Sequence, residues 1–400
     1  MSIKILTANI LSKIPNIGKC QSKFLIHLFW LIIACRGKVN FENLGRQGKL
    51  NEGTYRNNFD KPFDFLRFNQ ELIDLVCEKE LGIAFDPSFI SKSGKQTAGL
   101  AYFWSGCAGR SKRGLEIAGF GAIDILNNTC MHLCAYQTIR HKEYNSLLHY
   151  YSDLVSSKAP ELLKTSKYLV ADAYFSKKPF VDAVTESGFE IISRFRNDAV
   201  LQYRYLGLPK SGRGRPRKFQ GKVDVRNLDE QHFKLIIKDS AFNAYEAIVY
   251  SKALKRWVKV VVVHYKKEDG TIKTVKIYFS TDTQMQGTDL LIYYKTRFQI
   301  EFLYRDAKQF TGLEQCQSRK EKRLDFHFNT SLTTVSLAKA VHYLNQPISK
   351  RKPFSMFSIK TQYFNEHMLD RFISAFGIFP IPKKNNPVYL KLRDFGKIAA

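Results

Sequence analysis

Short apolar runs alternate with amphipathic stretches between residues 81 and 196, and this order limits the chain to an α/β fold. Runs rich in β-branched and aromatic residues predict strands, and stretches with a helical apolar period predict helices. The Asn127-Asn128 pair predicts a hairpin between the second and third strands. The predicted order is three strands, helix, strand, helix and strand, at 81–85, 115–125, 129–138, 143–164, 168–171, 177–188 and 189–196.

Two aspartates stand at the ends of predicted strands. Asp86 follows the apolar run 81–85 and precedes a Pro-Ser pair, so we expect the first strand to end at this acid and a turn to follow. Asp172 follows the apolar run 168–171. Ligands of α/β sheets usually lie outside the carboxyl ends of the strands, so both acids are candidates for a binding site. The alternative is that each aspartate only starts a turn.

Four polar side chains recur along a predicted helix within residues 291–315, namely Tyr294, Arg297, Glu301 and Lys308. In one continuous helix of about 100° per residue, all four would lie within about 60° of arc. A carboxylate beside two permanent cations and a phenol suits a metal ion next to a phosphate chain. The alternative is a surface ion pair between Arg297 and Glu301. Against it, the other residues of the helix predict an enclosed position in which charges need partners; they include Ile292, Phe298, Ile300, Phe302 and Leu303.

The spacing Tyr294-x2-Arg297-x3-Glu301-x6-Lys308 resembles the Tyr-Arg-Glu-Lys signature of bacterial insertion-sequence transposases with an Asp-Asp-Glu triad, the insertion-sequence-four family. The resemblance implies an α/β fold with a ribonuclease H-like catalytic core, and the predicted element order is the order of such a core. It also implies a β-rich insertion between the second aspartate and the glutamate. The amino-terminal region, predicted to be helical, resembles that of related transposases.

The same resemblance implies that Asp86, Asp172 and Glu301 are the catalytic residues and the ligands of two Mg²⁺ ions, for which Mn²⁺ can substitute. The two cations and the phenol of the signature helix would then position the scissile DNA strand. The implied partners are double-stranded DNA, both as terminal inverted repeats of the element and as target. A second copy of the chain is also implied, as a homodimer in a paired-end complex.

The regions that we expect along the chain follow from these elements. They are a helical DNA-binding domain at 1–75, the first part of the core at 76–198, a β-rich insertion at 199–285, the second part of the core with the glutamate helix at 286–345, and a C-terminal region at 346–400. The segment 94–109 is an insertion that the pattern does not place.

The densest basic tract, 203–222, lies in the β-rich insertion and contains no acid. Its RGRPRK core resembles an AT-hook, which enters the narrow minor groove of A·T-rich DNA. The alternative is a basic loop that contacts phosphates without reading bases, and either version contacts DNA. Trp257 is a candidate for stacking on an extruded base, with ordinary core packing as the alternative. The candidate DNA contacts in the tract are Arg213, Arg215, Arg217 and Lys218.

The amino-terminal region predicts a small set of helices. Its apolar run 24–35 predicts a buried helix, because the run is too short to span a bilayer. Two shorter helices around a Gly-containing turn near 45–48 are compatible with a helix-turn-helix that reads the element's ends. Arg46 and Arg56 are the candidate DNA contacts there.

Composition independently predicts a polyanionic partner. The chain has 63 Lys+Arg against 36 Asp+Glu, a formal net charge of +27. This basicity does not separate a transposase from a repressor or a ribosomal protein. Seven cysteines, an odd number, argue for a reducing compartment, so we expect a cytoplasmic protein without membrane association. Cys130-x-His132-x-Cys134 lacks a second ligand pair, and we do not expect structural zinc.

Together with these patterns, the resemblance implies a DNA transposase that cleaves element ends and joins them to target DNA by a metal-dependent, cut-and-paste route. Two alternatives stay open. A non-catalytic, sequence-specific DNA-binding regulator would need the basic tract and the amino-terminal helices but not the three acids. A ribonuclease H-like nuclease without joining activity would need the acids but no recognition domain.

Overall fold

One mixed sheet of twelve strands forms the centre of the part of the chain that the structure describes. The computed structural model describes residues 1–77, 80–139, 144–208, 216–346, 353–377 and 386–398. The strands are β1 (Leu81–Ile90), β2 (Ala101–Ser105), β3 (Arg110–Asp124), β4 (Thr129–Gln137), β5 (Tyr168–Ala171), β6 (Glu190–Phe195), β7 (Leu201–Arg204), β8 (Phe219–Lys222), β9 (Lys234–Lys238), β10 (Phe242–Ser251), β11 (Arg256–Lys266) and β12 (Ile272–Ser280).

Helices cover the sheet and form the two ends of the chain. The α-helices are α1 (Ile3–Leu11), α2 (Lys19–Ala34), α3 (Phe41–Gln47), α4 (Glu52–Asn58), α5 (Phe65–Val76), α6 (Leu147–Leu162), α7 (Lys178–Glu186), α8 (Gly287–Thr296), α9 (Gln299–Asp306), α10 (Glu321–Leu344), α11 (Met356–Ala375) and α12 (Pro387–Arg393). Short 3₁₀ turns occur at Gly106–Ala108 and Ala173–Phe175, and a π-helical turn at Ala307–Thr311.

The strands that carry the two aspartates are neighbours in the middle of the sheet. The order of the central strands is β4-β3-β1-β5-β6. β1 pairs antiparallel with β3 and parallel with β5, and β5 pairs parallel with β6. Helix α6 connects β4 to β5, and α7 connects β5 to β6, as parallel neighbours require a crossover. The chain is therefore a mixed α/β protein, as the element order predicts.

The first strand is longer than its sequence predicts. β1 continues through Asp86, Pro87 and Ser88 to Ile90, so the prediction of a turn after Asp86 is wrong. Pairing with β3 extends over the whole length of β1. The local sequence pattern cannot predict this long-range pairing. Proline fits within the strand because the pairing with β5 ends at Phe85. Beyond this residue, the side of β1 that faces β5 makes no backbone hydrogen bonds to a described strand that would require an N–H donor.

The β-rich segment 199–285 continues the central sheet instead of forming a sheet of its own. Its last strand, β12, pairs antiparallel with β6, and β11, β10, β7 and β8 follow outward. At the opposite edge, the segment that the sequence pattern left unplaced forms β2, which pairs with the first residues of β3. Sheet extension on both sides leaves the two aspartates in the interior of the sheet.

Side chains of the central strands alternate between two hydrophobic clusters, one on each face of the sheet. One cluster contains residues of α1, α2 and α5 and of the crossover helices α6 and α7. The other contains residues of α8 and α9 and of the first half of α10. The run 24–35 lies within α2 and its cap, with Leu25, Leu28 and Phe29 fully buried, which confirms the predicted buried helix. Among the described helices, none combines the length and apolarity needed to cross a membrane.

Candidate active site

Strand alternation places the two aspartates on the same face of the sheet. Ala84 of β1 and Val170 of β5 both belong to the hydrophobic cluster that contains α9. Because side chains alternate along a strand, Asp86 lies on the face of Ala84. Asp172, two residues after Val170, directly follows β5 and caps the next 3₁₀ turn. Both carboxylates therefore project toward the side that α8 and α9 cover.

The backbone of Asp86 is held by a buried tyrosine. The Tyr304 hydroxyl, from α9, donates a hydrogen bond of 2.6 Å to the Asp86 carbonyl oxygen. Gly119 of β3 lies opposite Asp86, and a Cβ at this position would overlap the Tyr304 hydroxyl. Glycine at this point lets α9 approach the sheet closely enough for the hydrogen bond. The first aspartate is thus fixed by a tertiary contact.

The backbone of Asp172 is held by a serine of the next strand. Ser193 of β6 is fully buried, and its hydroxyl donates a hydrogen bond of 2.8 Å to the Asp172 carbonyl oxygen. The Asp172 carboxylate also accepts a hydrogen bond of 2.9 Å from the Tyr174 N–H. The second aspartate therefore has one tertiary and one local anchor.

The signature segment is divided, so the prediction of one continuous helix over 294–308 is wrong. Helix α8 ends at Thr296, and α9 begins at Gln299. Between them the chain tightens, since the Ile300 N–H bonds the Arg297 carbonyl three residues earlier. The π-helical turn Ala307–Thr311 follows α9 directly. The four signature side chains therefore lie on successive helical pieces, and a single arc does not describe them.

Arg297 bridges two of the predicted site acids. Its Nη1 lies 3.6 Å from the Asp86 Oδ1, and its Nη2 lies 3.1 Å from the Glu301 Oε1. The Arg297 side chain is only 11% exposed, whereas the Glu301 side chain is 41% exposed. Burial acts to lower the pKa of Arg297, but the charges of Asp86, and then of Tyr294 and Glu301, raise it above its usual value. The guanidinium is therefore a fixed cation among acids and not a surface ion-pair partner.

The three predicted acids influence one another electrostatically. Burial raises the pKa of Asp86 to about 7, Arg297 opposes this rise, and the charges of Asp172 and Glu301 add to it. Acids from three distant parts of the chain thus share one electrostatic environment. Within the described ranges, however, no three His, Cys, Asp or Glu side chains form a group close enough to hold a metal ion. In this structure the Arg297 guanidinium bridges Asp86 and Glu301.

The other two signature residues lie beside this group but make different contacts. The Tyr294 ring packs against Tyr278 of β12 with ring centroids 4.9 Å apart, and the Arg297 guanidinium lies 5.7 Å from its ring centre. The Lys308 Nζ donates a hydrogen bond of 2.7 Å to the Phe89 carbonyl oxygen near the end of β1. Tyr294 therefore extends the site toward β12, and Lys308 extends it toward the C-terminal end of β1.

The signature segment is enclosed on one side only. Ile300 and Leu303 are buried against the sheet, as predicted. Ile292 and Phe298 are 45% and 48% exposed, so the prediction of an enclosed helix is wrong for that side. The outer side of α8 and of the turn before α9 is therefore exposed at these two residues.

Sequence patterns missed the two hydroxyls that hold the aspartates and a further buried acid. Glu116 of β3 is 6% exposed and accepts a hydrogen bond from the Tyr151 hydroxyl. By strand alternation it lies on the face opposite Asp86, yet its charge also contributes to the raised pKa of Asp86. A glutamate within an otherwise apolar strand was the available signal for Glu116. Nothing in the local sequence marks Tyr304 or Ser193.

The candidate DNA contacts in the β-rich segment are only partly described. Arg213 and Arg215 lie outside the described residues. Arg217 and Lys218 are exposed just before β8, and the Arg217 Nε donates a hydrogen bond of 3.0 Å to the Phe219 carbonyl oxygen. Trp257 of β11 is half-buried in an aromatic cluster with Tyr250 and Phe219, at 5.5 and 6.0 Å between ring centroids.

The amino-terminal candidates lie on two short consecutive helices, α3 and α4. Arg46 pairs with Glu42 and Arg56 with Glu52, each one helical turn away. Gly48 sits in the turn, where a Cβ would overlap the hydroxyl of the buried Tyr55. The side chains of Arg46 and Arg56 are 68% and 42% exposed. Both guanidiniums are accessible, and each has an acidic neighbour that a phosphate would have to displace.

The comparison with known protein families agrees with this geometry. Residues 145–337 match the family model described as transposase DDE domain. The matched span contains Asp172, Glu301 and the helix around it, and it begins after Asp86. No curated protein is significantly similar to the chain. Residues 145–337, which include Asp172 and Glu301, are therefore similar to a transposase DDE domain.

Proposed function

We propose that this protein is an insertion-sequence transposase of the insertion-sequence-four family that cleaves the ends of its element and joins them to target DNA. The observation that carries the proposal is that the buried Arg297 bridges Asp86 and Glu301, while the charge of Asp172 acts on both Asp86 and Arg297. A DNA-binding regulator has no need for three acids at this place.

The strand order supports a ribonuclease H-like core. β4, β3 and β1 are antiparallel neighbours, and β1, β5 and β6 are parallel neighbours joined through α6 and α7. The first aspartate lies on the central strand and the second follows the adjacent parallel strand. Such a core brings acids from distant segments to one face without requiring them to be close in sequence.

The donor set fits a pair of Mg²⁺ ions, with Mn²⁺ as a substitute. Asp86, Asp172 and Glu301 offer only carboxylate oxygens, which are the ligands that these hard cations prefer. Burial and two neighbouring acids raise the pKa of Asp86, so a cation at this place would stabilise its charged form. When bound, the ions would polarise the phosphodiester and activate the attacking oxygen for in-line displacement.

Arg297 has two hydrogen-bond donors that suit a DNA phosphate. Within the described part of the chain, its Nε and Nη1 are buried and make no hydrogen bond. Buried donors without acceptors are costly, and a phosphate oxygen is the acceptor that a guanidinium binds best. We infer that Arg297 turns from bridging Asp86 and Glu301 to gripping the scissile strand. Lys308, whose Nζ bonds the Phe89 carbonyl oxygen near the end of β1, would hold the DNA strand as it leaves the acids.

Recognition of the element ends is assigned to the parts outside the core. The α3–α4 pair would read terminal inverted repeats through Arg46 and Arg56. The basic tract with Arg217 and Lys218 would contact the minor groove or the phosphates, and Trp257 is the candidate for stacking on an extruded base. A homodimer would hold two ends together for joining.

Purified protein and labelled DNA carrying the sequences that bracket its gene test this proposal. Mg²⁺-dependent cleavage at the element end, followed by joined product, is the expected result, and EDTA should abolish both. Binding without cleavage would instead indicate a regulator. Cleavage without any joined product would indicate a nuclease. Either outcome would overturn the proposed transposase activity.

A further inference from the structure

A β-hairpin next to the acids presents aromatic side chains to solvent. β2 pairs with residues Arg110 to Gly114 of β3, and the pairing of β3 with β1 begins only at Leu115. The hairpin therefore projects past the end of β1. Tyr102 and Trp104 on β2 are each 64% exposed. Large aromatic side chains exposed in pairs on a strand indicate a binding surface.

The two rings lie on the same face of the sheet as the acids. Tyr102 pairs with Arg113, and Trp104 pairs with Ser111. Directly paired residues share a face, and side chains alternate along β3, so Arg113 and Ser111 share the face of Gly119, which lies opposite Asp86. A partner that contacts the acids can therefore continue onto the two rings.

The charge around the rings suits a polyanion. The segment 91–115 contains no acidic residue, and its cations are Lys92, Lys95, Arg110, Lys112 and Arg113. Residues 110–113 are exposed. Lys308 lies between the acids and the hairpin, because its Nζ bonds the Phe89 carbonyl near the end of β1. Cations thus follow the edge of the sheet from the acids to the rings.

The base of the hairpin is fixed to the core. The Lys92 Nζ donates a hydrogen bond of 3.1 Å to the Ser318 carbonyl oxygen. The Ala98 N–H donates to the Arg319 carbonyl oxygen at 3.3 Å, and the Gln137 side-chain amide donates to the Ala98 carbonyl oxygen at 2.6 Å. These bonds connect the loop before β2 to the segment between α9 and α10 and to β4. The rings therefore keep a defined position relative to the acids.

We propose that this hairpin is a stacking arm that binds an unpaired base of the DNA strand entering the active site; this inference rests on the proposed function. Residues two apart on a strand are separated by about 6.8 Å, which leaves room for one base stacked between Tyr102 and Trp104. Six to eight residues of β3 separate Gly119 from the residues opposite the rings, a distance of about 20 to 27 Å. At about 3.4 Å per nucleotide, the bound base lies about six to eight nucleotides from the scissile phosphate.

A scan of unpaired bases tests the arm. End-bearing duplexes, each with one unpaired base at a successive position, are titrated in EDTA against the full-length protein. The wild-type protein should bind about tenfold tighter when the unpaired base lies about six to eight nucleotides from the cleavage site. The Y102A/W104A variant should lose this preference, whereas Phe376→Ala, which removes another exposed aromatic ring, should keep it.

A charge variant provides a second, independent readout. Replacing Arg110, Lys112 and Arg113 together by serine should weaken binding to every duplex and reduce the dependence of log affinity on log salt by about two to three. The preference for the unpaired base should remain. A Y102A/W104A variant that keeps the wild-type preference, or a wild-type protein without any preference, would overturn the proposed arm.

The two proposals fail in distinguishable ways. Asp172→Asn should abolish cleavage and leave the unpaired-base preference unchanged, because the preference is measured without metal. Cleavage and joining by a protein without the preference would overturn the arm alone. A protein that shows the preference but neither cleaves nor joins would overturn the transposase activity alone.

Discussion

Asp86 and Asp172 stand on neighbouring parallel strands, yet the chain holds them in different ways. Asp172 follows a strand of four residues, and its carboxylate accepts a hydrogen bond from the Tyr174 N–H nearby. Asp86 lies within a strand of ten residues, and its carboxylate faces Arg297 from a distant helix. Asp172 therefore has a local hydrogen bond in addition to its tertiary anchor, whereas tertiary contacts hold Asp86.

At both acids, a buried hydroxyl donates a hydrogen bond to the backbone carbonyl oxygen. Tyr304 supplies it to Asp86 and Ser193 supplies it to Asp172. If the hydroxyl anchor is lost, Asp172 still keeps the local hydrogen bond from the Tyr174 N–H. We expect the active site to be more sensitive to changes around Asp86 than around Asp172, and four sets of substitutions examine this difference.

The largest effect is expected from removing a carboxylate. Asp86→Asn, Asp172→Asn and Glu301→Gln should each reduce Mg²⁺-dependent end cleavage by about a thousandfold, equivalent to about 4 kcal/mol of activation free energy. Single-turnover cleavage of labelled DNA measures the rate. Glu116→Gln is the matched control, because Glu116 is a buried acid on the opposite face whose amide analogue still accepts the Tyr151 hydrogen bond. Its rate should stay within about threefold of wild type. Near-normal cleavage by any of the first three variants would contradict the site.

Arg297→Gln is expected to rank second. The loss of a buried guanidinium that contacts both Asp86 and Glu301 should slow cleavage about a hundredfold, through loss of a charge-assisted bond to the scissile strand. Arg305→Gln is the control, because Arg305 is 61% exposed and pairs with Asp306. Equal effects of the two substitutions would show that only the general basicity of the segment 297–305 matters.

Tyr304→Phe examines the anchor of Asp86. Loss of the hydroxyl leaves the Asp86 carbonyl without this donor and should reduce cleavage about tenfold, while DNA affinity measured in EDTA stays unchanged. Tyr150→Phe is matched to it, since the Tyr150 hydroxyl donates to the Gln137 carbonyl oxygen at 3.0 Å. If both variants lose the same activity, Tyr304 contributes only to stability.

Ser193→Ala should have the smallest effect, about threefold on cleavage, because the Tyr174 N–H still orients the Asp172 carboxylate. Ser152→Ala, which removes a similar hydroxyl bond to the Leu148 carbonyl within α6, is the control. A loss through Ser193→Ala that exceeds the loss through Tyr304→Phe would reverse the order expected for the two acids.

The same difference explains what the sequence could predict. Asp172 was placed correctly because an apolar run, an acid and a turn are neighbours in the chain. At Asp86 the sequence predicts the strand but not its end, because pairing with β3 decides where β1 ends. The Tyr304 hydrogen bond spans 218 residues and the Ser193 bond spans 21, so no local pattern could reveal either. Uniform helical geometry likewise does not predict the division of the signature helix near Arg297.

Metal-directed backbone cleavage tests directly whether Asp86, Asp172 and Glu301, from distant segments of the chain, share one divalent cation site. Fe²⁺ replaces Mg²⁺ in the purified full-length protein, and peroxide with ascorbate then generates hydroxyl radicals at the bound ion. The expected result is cleavage of the chain near Asp86, Asp172 and Glu301 together, suppressed by excess Mg²⁺. Cleavage near only one of these acids, or near none of them, would contradict the account.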